Sequence, residues 1–145
     1  MRLRSVARAV ALTAGLAAVA AGCGPTDNAE LKRRVQSVNA IAVEGRLLAD
    51  GVIGDRTKAT FARVHGRALA EDAEHEAEKM ADAEVLARLR PARARAVAIA
   101  QRVSDAIAVL QVFPGGEDNA RDARNDLVSL AAQAKRLDAS IPEQP

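Results

Sequence analysis

Residues 85–97 read VLARLRPARARAV, and the fold turns on how Pro91 is taken. Upstream, from about residue 56, apolar residues recur at the 3.6-residue spacing of a helix. Downstream the same spacing continues until Pro114-Gly115-Gly116. Between Gly66 and Pro114 the only breaker is Pro91. Proline suits the first turn of a helix, where its missing N–H would have no partner anyway. Inside a helix it costs about 3 kcal/mol or forces a kink. Burial decides between the two. A single helix over 55–113 would leave its apolar stripes without partners in the same chain and would require a dimer. A hairpin at Pro91 lets the stripes cover each other, and this is the reading adopted, with the kinked, dimeric long helix as the alternative.

Charge points the same way. Residues 71–84 carry Glu71, Asp72, Glu74, Glu76, Glu78, Asp82 and Glu84, whereas 88–102 carry Arg88, Arg90, Arg93, Arg95 and Arg102. A hairpin is expected to bring Glu84 near Arg93 or Arg95. Such an exposed pair contributes only about 0 to 1 kcal/mol, enough to bias register.

Working outward, four helices emerge, at about 27–50, 56–88, 91–113 and 117–139. The first opens on Asp27 and Glu30, a capping-box pair. Leu31, Val35, Val38, Ile41, Ala42, Leu48 and Ala49 form its stripe. Gly51 and Gly54 bracket a turn, after which Asp55 can cap the second helix. That helix shows Phe61, Val64, Ala68 and Leu69, then Ala73, Ala77 and Met80. The third carries Ala96, Ile99, Ala100, Val103, Ile107, Leu110 and Phe113. The fourth carries Ala120, Ala123, Leu127, Leu130, Ala134 and Leu137. Alanine, the best helix former, supplies much of the apolar content. The expected fold is therefore all-α, an antiparallel four-helix bundle over 27–141 with a tail at 142–145. Its core weight falls on Leu31, Val38, Ile41, Val64, Val103, Ile107, Leu110, Phe113, Leu127 and Leu130.

The first 23 residues carry a different message. MRLRSVAR has three arginines and no acid, AVALTAGLAAVAA is 13 uncharged residues, and small residues lead to Cys23, the single cysteine of the chain. A basic segment, a short apolar segment and a small-residue cleavage zone make a secretory signal. As a helix the apolar run measures about 20 Å, short of a membrane core of about 30 Å. The zone Ala20-Ala21-Gly22-Cys23 resembles the lipobox of bacterial lipoproteins, with Ala20 where leucine is commonest. The resemblance covers residues 1–23 only. It implies cleavage of 1–22, acylation of Cys23 with lipid (palmitate among the chains), and a short tether at 23–26. It also implies residence on the extracytoplasmic face of the cell membrane. The alternative is an ordinary signal peptide cut after Ala18-Val19-Ala20, leaving a free thiol. A disulfide within the chain is excluded by the count of one.

Removing residues 1–22 takes away Arg2, Arg4 and Arg8, leaving 18 basic against 19 acidic groups and a net charge of −1. That leaves no basic field to attract nucleic acid. With two phenylalanines, no tryptophan and no tyrosine, stacking platforms for sugars or bases are missing. No Gly-x-Ser-x-Gly, phosphate loop, zinc motif or calcium loop occurs. His65 and His75 are ten residues apart, about 15 Å along a helix, too far to share one metal. Asp72-x-x-His75 has the i,i+3 spacing of di-iron bundles, but a second such motif is missing. Asp72 and His75 are thus weak metal candidates on an acidic, solvated face, and His65 is expected to flank the core. The functional expectation is a non-enzymatic, cofactor-free structural or interaction module of the cell envelope. It would be bound to the membrane through Cys23 and to a protein partner that the sequence does not name. The alternative is a metal- or small-ligand-binding bundle using the 71–84 face and His75.

Overall fold

In the computed structural model, which describes residues 26–143, four helices pack as an antiparallel bundle. They are α1 (Asn28–Ile53), α2 (Ala59–Asp82), α3 (Arg90–Val112) and α4 (Glu117–Ser140), with one 3₁₀ turn, Ala87–Leu89, between α2 and α3. Residues 1–25, which include the expected signal segment and Cys23, and residues 144–145 lie outside the described residues. Side-chain contacts fix the directions. Asp50 meets Arg124 while Gln36 meets Asp138, so α1 and α4 run opposite. Ser104 donates to the carbonyl of Ala70 and Arg93 to that of Ala81, so α2 and α3 run opposite. The α2–α3 and α1–α4 pairs are the most extensive, and the α3–α4 and α1–α2 seams are thinner.

The hairpin at Pro91 is therefore the structure, and the long kinked helix is not. α2 ends at Asp82, six residues before the boundary expected from periodicity. Ala83 is extended, and Arg93 of α3 donates to the carbonyls of Ala81 at 3.4 Å and Ala83 at 2.7 Å. A guanidinium thus satisfies acceptors that the helix end leaves open. The chain then turns inward, burying Val85 and Leu89 across this end of the bundle. The anticipated pairing of Arg93 with Glu84 does not form, because backbone carbonyls occupy Arg93 instead. Leu89 precedes the first residue of α3, and Pro91 sits in its first turn.

α1 starts as its sequence directs, with Asp27 Oδ1 accepting from the Glu30 N–H at 2.8 Å. The Glu30 carboxylate does not complete the capping box. It pairs with Arg33 and Arg34. At the other end α1 continues through Gly51 to Ile53, because Gly54 caps it and Asp55 takes a left-handed conformation at φ 51°. Asp55 therefore terminates α1 instead of capping α2, whose N-cap is Lys58 without a side-chain bond.

The core contains the α1, α3 and α4 stripes nearly as spaced in the sequence, with Leu31, Val38, Val103, Ile107, Leu110, Leu127 and Leu130 all buried. Ile41 is half-buried against it. Three large residues assigned to the core are outside it: Phe61, Val64 and Phe113 are 57%, 65% and 51% exposed. The buried face of α2 is Ala62, Gly66, Leu69, Ala70, Ala73, Ala77 and Met80. Its early part is thus turned by one residue, about 100°, from the face the large residues suggested. Phe113 lies past the last turn of α3, at its C-cap.

At one end of the bundle the chain's beginning is sewn to the α2–α3 connection. The Thr26 N–H donates to the Glu84 carbonyl at 2.7 Å. Asn28, buried, donates to the Pro142 carbonyl at 2.9 Å and accepts from Arg88 at 3.3 Å. This end holds the start of α1 and the close of α4. The opposite end carries the loops 54–58 and 113–116.

Candidate functional site

Each residue singled out in the sequence can now be placed, except Cys23, which lies outside the described residues. Asp72 and His75 project from the outer side of α2 and are exposed. The imidazole Nδ1 of His75 is 3.9 Å from Glu78 Oε2, one turn on. Among the described residues no three histidine, cysteine or acidic groups converge as metal ligands. Most of the acidic run faces solvent. Its exception, Glu76, is turned toward α1, where it meets Arg34 at 3.4 Å. His65 is half-buried, and its partners are on the surface: its Nε2 is 2.9 Å from Glu44 Oε1, and its ring lies 5.2 Å from that of the exposed Phe61.

The arginines of 88–102 divide in a way that sequence alone did not reveal. Arg88 and Arg93 are spent on Asn28 and on the end of α2. Arg95 and Arg102 point along the α3–α4 seam, where Arg136 of α4 joins them. Together with Ala98, Ile99, Gln133, Leu137 and Ser140 they line a groove of about 360 Å³. The groove exists because this seam is made of small residues. Ile99 and Leu137 form its floor, and they also wall a second, inner hollow together with Ala96, Ala134, Val35 and Val38. An alanine seam brings backbones together without filling the flanks.

No acid lines this groove. Among the described residues, Arg95, Arg102 and Arg136 make no ion pair within 4.0 Å, as is true of most of the bundle's arginines; eight pairs between a lysine or arginine and a carboxylate form elsewhere. Asp105 and Asp126 line an adjoining hollow with Arg102. Gln133 is tied to Ser129 and the Ser140 hydroxyl to the Leu137 carbonyl. The signal was present in the sequence. Residues 95, 98, 99 and 102 on α3 and 133, 136, 137 and 140 on α4 share one i, i+3, i+4, i+7 spacing. That pattern becomes a site only once the antiparallel seam is known.

A second surface lies at the opposite end. Phe61 and Val64 on α2, Leu47 on α1, and Val112 with Phe113 at the close of α3 are all exposed. Leu47 and Phe61 share one shallow hollow with Glu44, Thr57 and His65. No described helix is long and apolar enough to cross a membrane. Comparison of the chain with protein families, curated proteins and solved structures finds no match.

Proposed function

We propose that this chain is a small bacterial lipoprotein, held on the extracytoplasmic face of the cell membrane through acylated Cys23. In this reading the bundle acts without enzymatic chemistry, by contact with another protein of the envelope. The observation that carries the reading is the run from Met1 to Cys23: basic, then apolar, then small, then the single thiol. The bundle's geometry is compatible with a close anchor. Thr26, only three residues after Cys23, is bonded to the α2–α3 connection. Three residues span at most about 10 Å, so an acyl group on Cys23 would hold this end of the bundle against the bilayer. One chain anchors only marginally, while two or three hold firmly.

The exposed phenylalanines favour protein contact as the working mode. They lie at the end remote from Thr26, about 35 Å away along helices of 23 to 26 residues. Large apolar residues at a surface mark interaction sites more often when they gather than when they scatter, and aromatic anchors dominate interface energetics.

The decisive experiment is labelling with radioactive palmitate in the producing bacterium. The wild-type chain is expected to take up label and the Cys23→Ala chain none. Equal label in both would end the lipoprotein reading. For the contact surface, a photo-reactive phenylalanine analogue at position 61 or 113 is expected to give discrete crosslinked adducts in intact cells, and one at Asp72 none. Adducts from position 72 alone would move the contact surface to the acidic face.

A further inference from the structure

We propose that the groove between α3 and α4 binds the phosphate headgroup of an anionic phospholipid in the membrane on which the chain is anchored. The inference rests on the anchored reading above and adds a ligand and a site to it.

Three observations converge. The first is charge. Residues 86–102 hold five arginines and no acid, and the three guanidinium groups around the groove stand without an ionic partner among the described residues. Arginine's planar fork matches phosphate oxygens in a way a lysine does not. The mature chain as a whole is near neutral, so this cationic face is local. Exposed acids concentrate on the outer side of α2, at Glu71, Asp72, Glu74 and Glu78, and the acids that adjoin the groove, Asp105 and Asp126, share a separate hollow with Arg102.

The second is the mixed lining. Ile99 and Leu137 form the floor and Ala98 one wall, with the arginines around them. A free inorganic anion would have no use for the apolar floor. A phospholipid has a phosphate for the rim and the first methylenes of an acyl chain for the floor.

The third is position. Arg95 lies five residues into α3 and Arg136 four residues before the close of α4. The groove therefore runs from near the end that begins with Thr26, which a tether of about 10 Å would keep at the bilayer surface, to the middle of the bundle, where Arg102 stands. Each arginine near an anionic surface contributes about fivefold in binding.

The test uses the full chain, purified from membranes and reconstituted in phosphatidylcholine vesicles with a rising share of phosphatidylglycerol. Hydrogen exchange of peptides covering 95–102 and 133–140 is followed. Exchange in both peptides is expected to slow only as phosphatidylglycerol is added. For the double variant R95Q/R136Q the share needed for half-protection should rise about 25-fold, at fivefold per arginine, or exceed what pure phosphatidylglycerol supplies. The charge-matched R63Q/R67Q, on exposed positions of α2, should behave as wild type. Circular dichroism checks that both variants keep their helix. Equal protection without phosphatidylglycerol, or equal loss in the two variants, would overturn the proposal. So would full protection by inorganic phosphate in phosphatidylcholine alone, which would assign the groove to a soluble anion. The mass of the peptide carrying Cys23, read on the same sample, separates the two readings. An unmodified Cys23 with a protected groove removes the anchor alone, and a lipidated Cys23 with an unprotected groove removes this site alone.

Discussion

Gly45 and Gly66 occupy equivalent-looking helix interiors, yet they are opposite in what a methyl group would meet. A Cβ at Gly45 would lie 2.7 Å from Ile107 Cγ1 and 3.2 Å from Leu127 Cδ1, both side chains fully buried. Here α1 closes onto α3 and α4, and the absent side chain is what lets the backbone approach. A Cβ at Gly66 would meet Gln111, Leu110 and Leu48 at 3.5 to 3.7 Å, ordinary contact. Replacing helical glycine with alanine gains about 0.5 to 1 kcal/mol from backbone entropy, and overpacking a core costs about 1 to 3 kcal/mol. Gly66→Ala should therefore raise stability in urea denaturation, and Gly45→Ala should lower it by about 1 kcal/mol. Adding Ile107→Val removes Cδ1, 2.8 Å from the same point, but keeps a carbon at the Cγ1 position, so it should recover only part of the Gly45→Ala loss, and the non-additivity of the pair measures that part of the clash. None of this was legible in the sequence, where the two glycines differ only by position.

At the scale of the element, α2 is instructive. Its existence, its start within three residues and its later seam of Ala73, Ala77 and Met80 follow from spacing alone. Its phase at the start does not. Where a seam is built from alanine and glycine, the largest residues nearby are not the ones facing inward, so Phe61 and Val64 pointed the assignment about 100° away. Its end was misread for another reason. Residues 83–88 have helical composition, including a well-spaced Glu84 and Arg88, but tertiary contacts override it. Val85 and Leu89 are worth more plugging the bundle's end than continuing a helix into solvent. Arg93 holds that outcome in place from the neighbouring helix. Arg93→Met keeps the aliphatic stem and removes the donors to the Ala81 and Ala83 carbonyls. It should cost about 1 to 2 kcal/mol and speed amide exchange in the last turn of α2. Unchanged exchange there would mean that the inward turn of Val85 alone ends the helix. The groove lies in the same category as the α2 end: the stripes of Arg95 and Arg136 were each readable, but their meeting required the α3–α4 register.

For the whole molecule, the contrast between an interior rich in small residues and an exterior carrying the aromatics predicts an inverted mutational profile. Leu127→Ala, at a fully buried position shared by α1 and α4, should cost about 2 to 5 kcal/mol in thermal or urea unfolding. Phe61→Ser, removing a much larger group that is 57% exposed, should change stability by less than about 1 kcal/mol. Equal losses at the two positions would place Phe61 inside a packed interface of the isolated chain. The bundle topology itself was legible because it needs only four stripes, short connections and one correctly placed proline. Faces left over after the stripes pair are set by the exact rotation of each helix, and those required the structure.

The knot of bonds around Asn28, which ties the first described residues to Pro142, has a practical corollary for anyone engineering this chain. Both extremities of the bundle emerge side by side, so a fluorescent reporter fused after the tail would crowd the same space as any anchor. The Gly115-Gly116 connection, at the far pole and open around Gly115, is the better insertion point. A circular permutant opened there, with the old extremities bridged by a short linker, should retain all four rods.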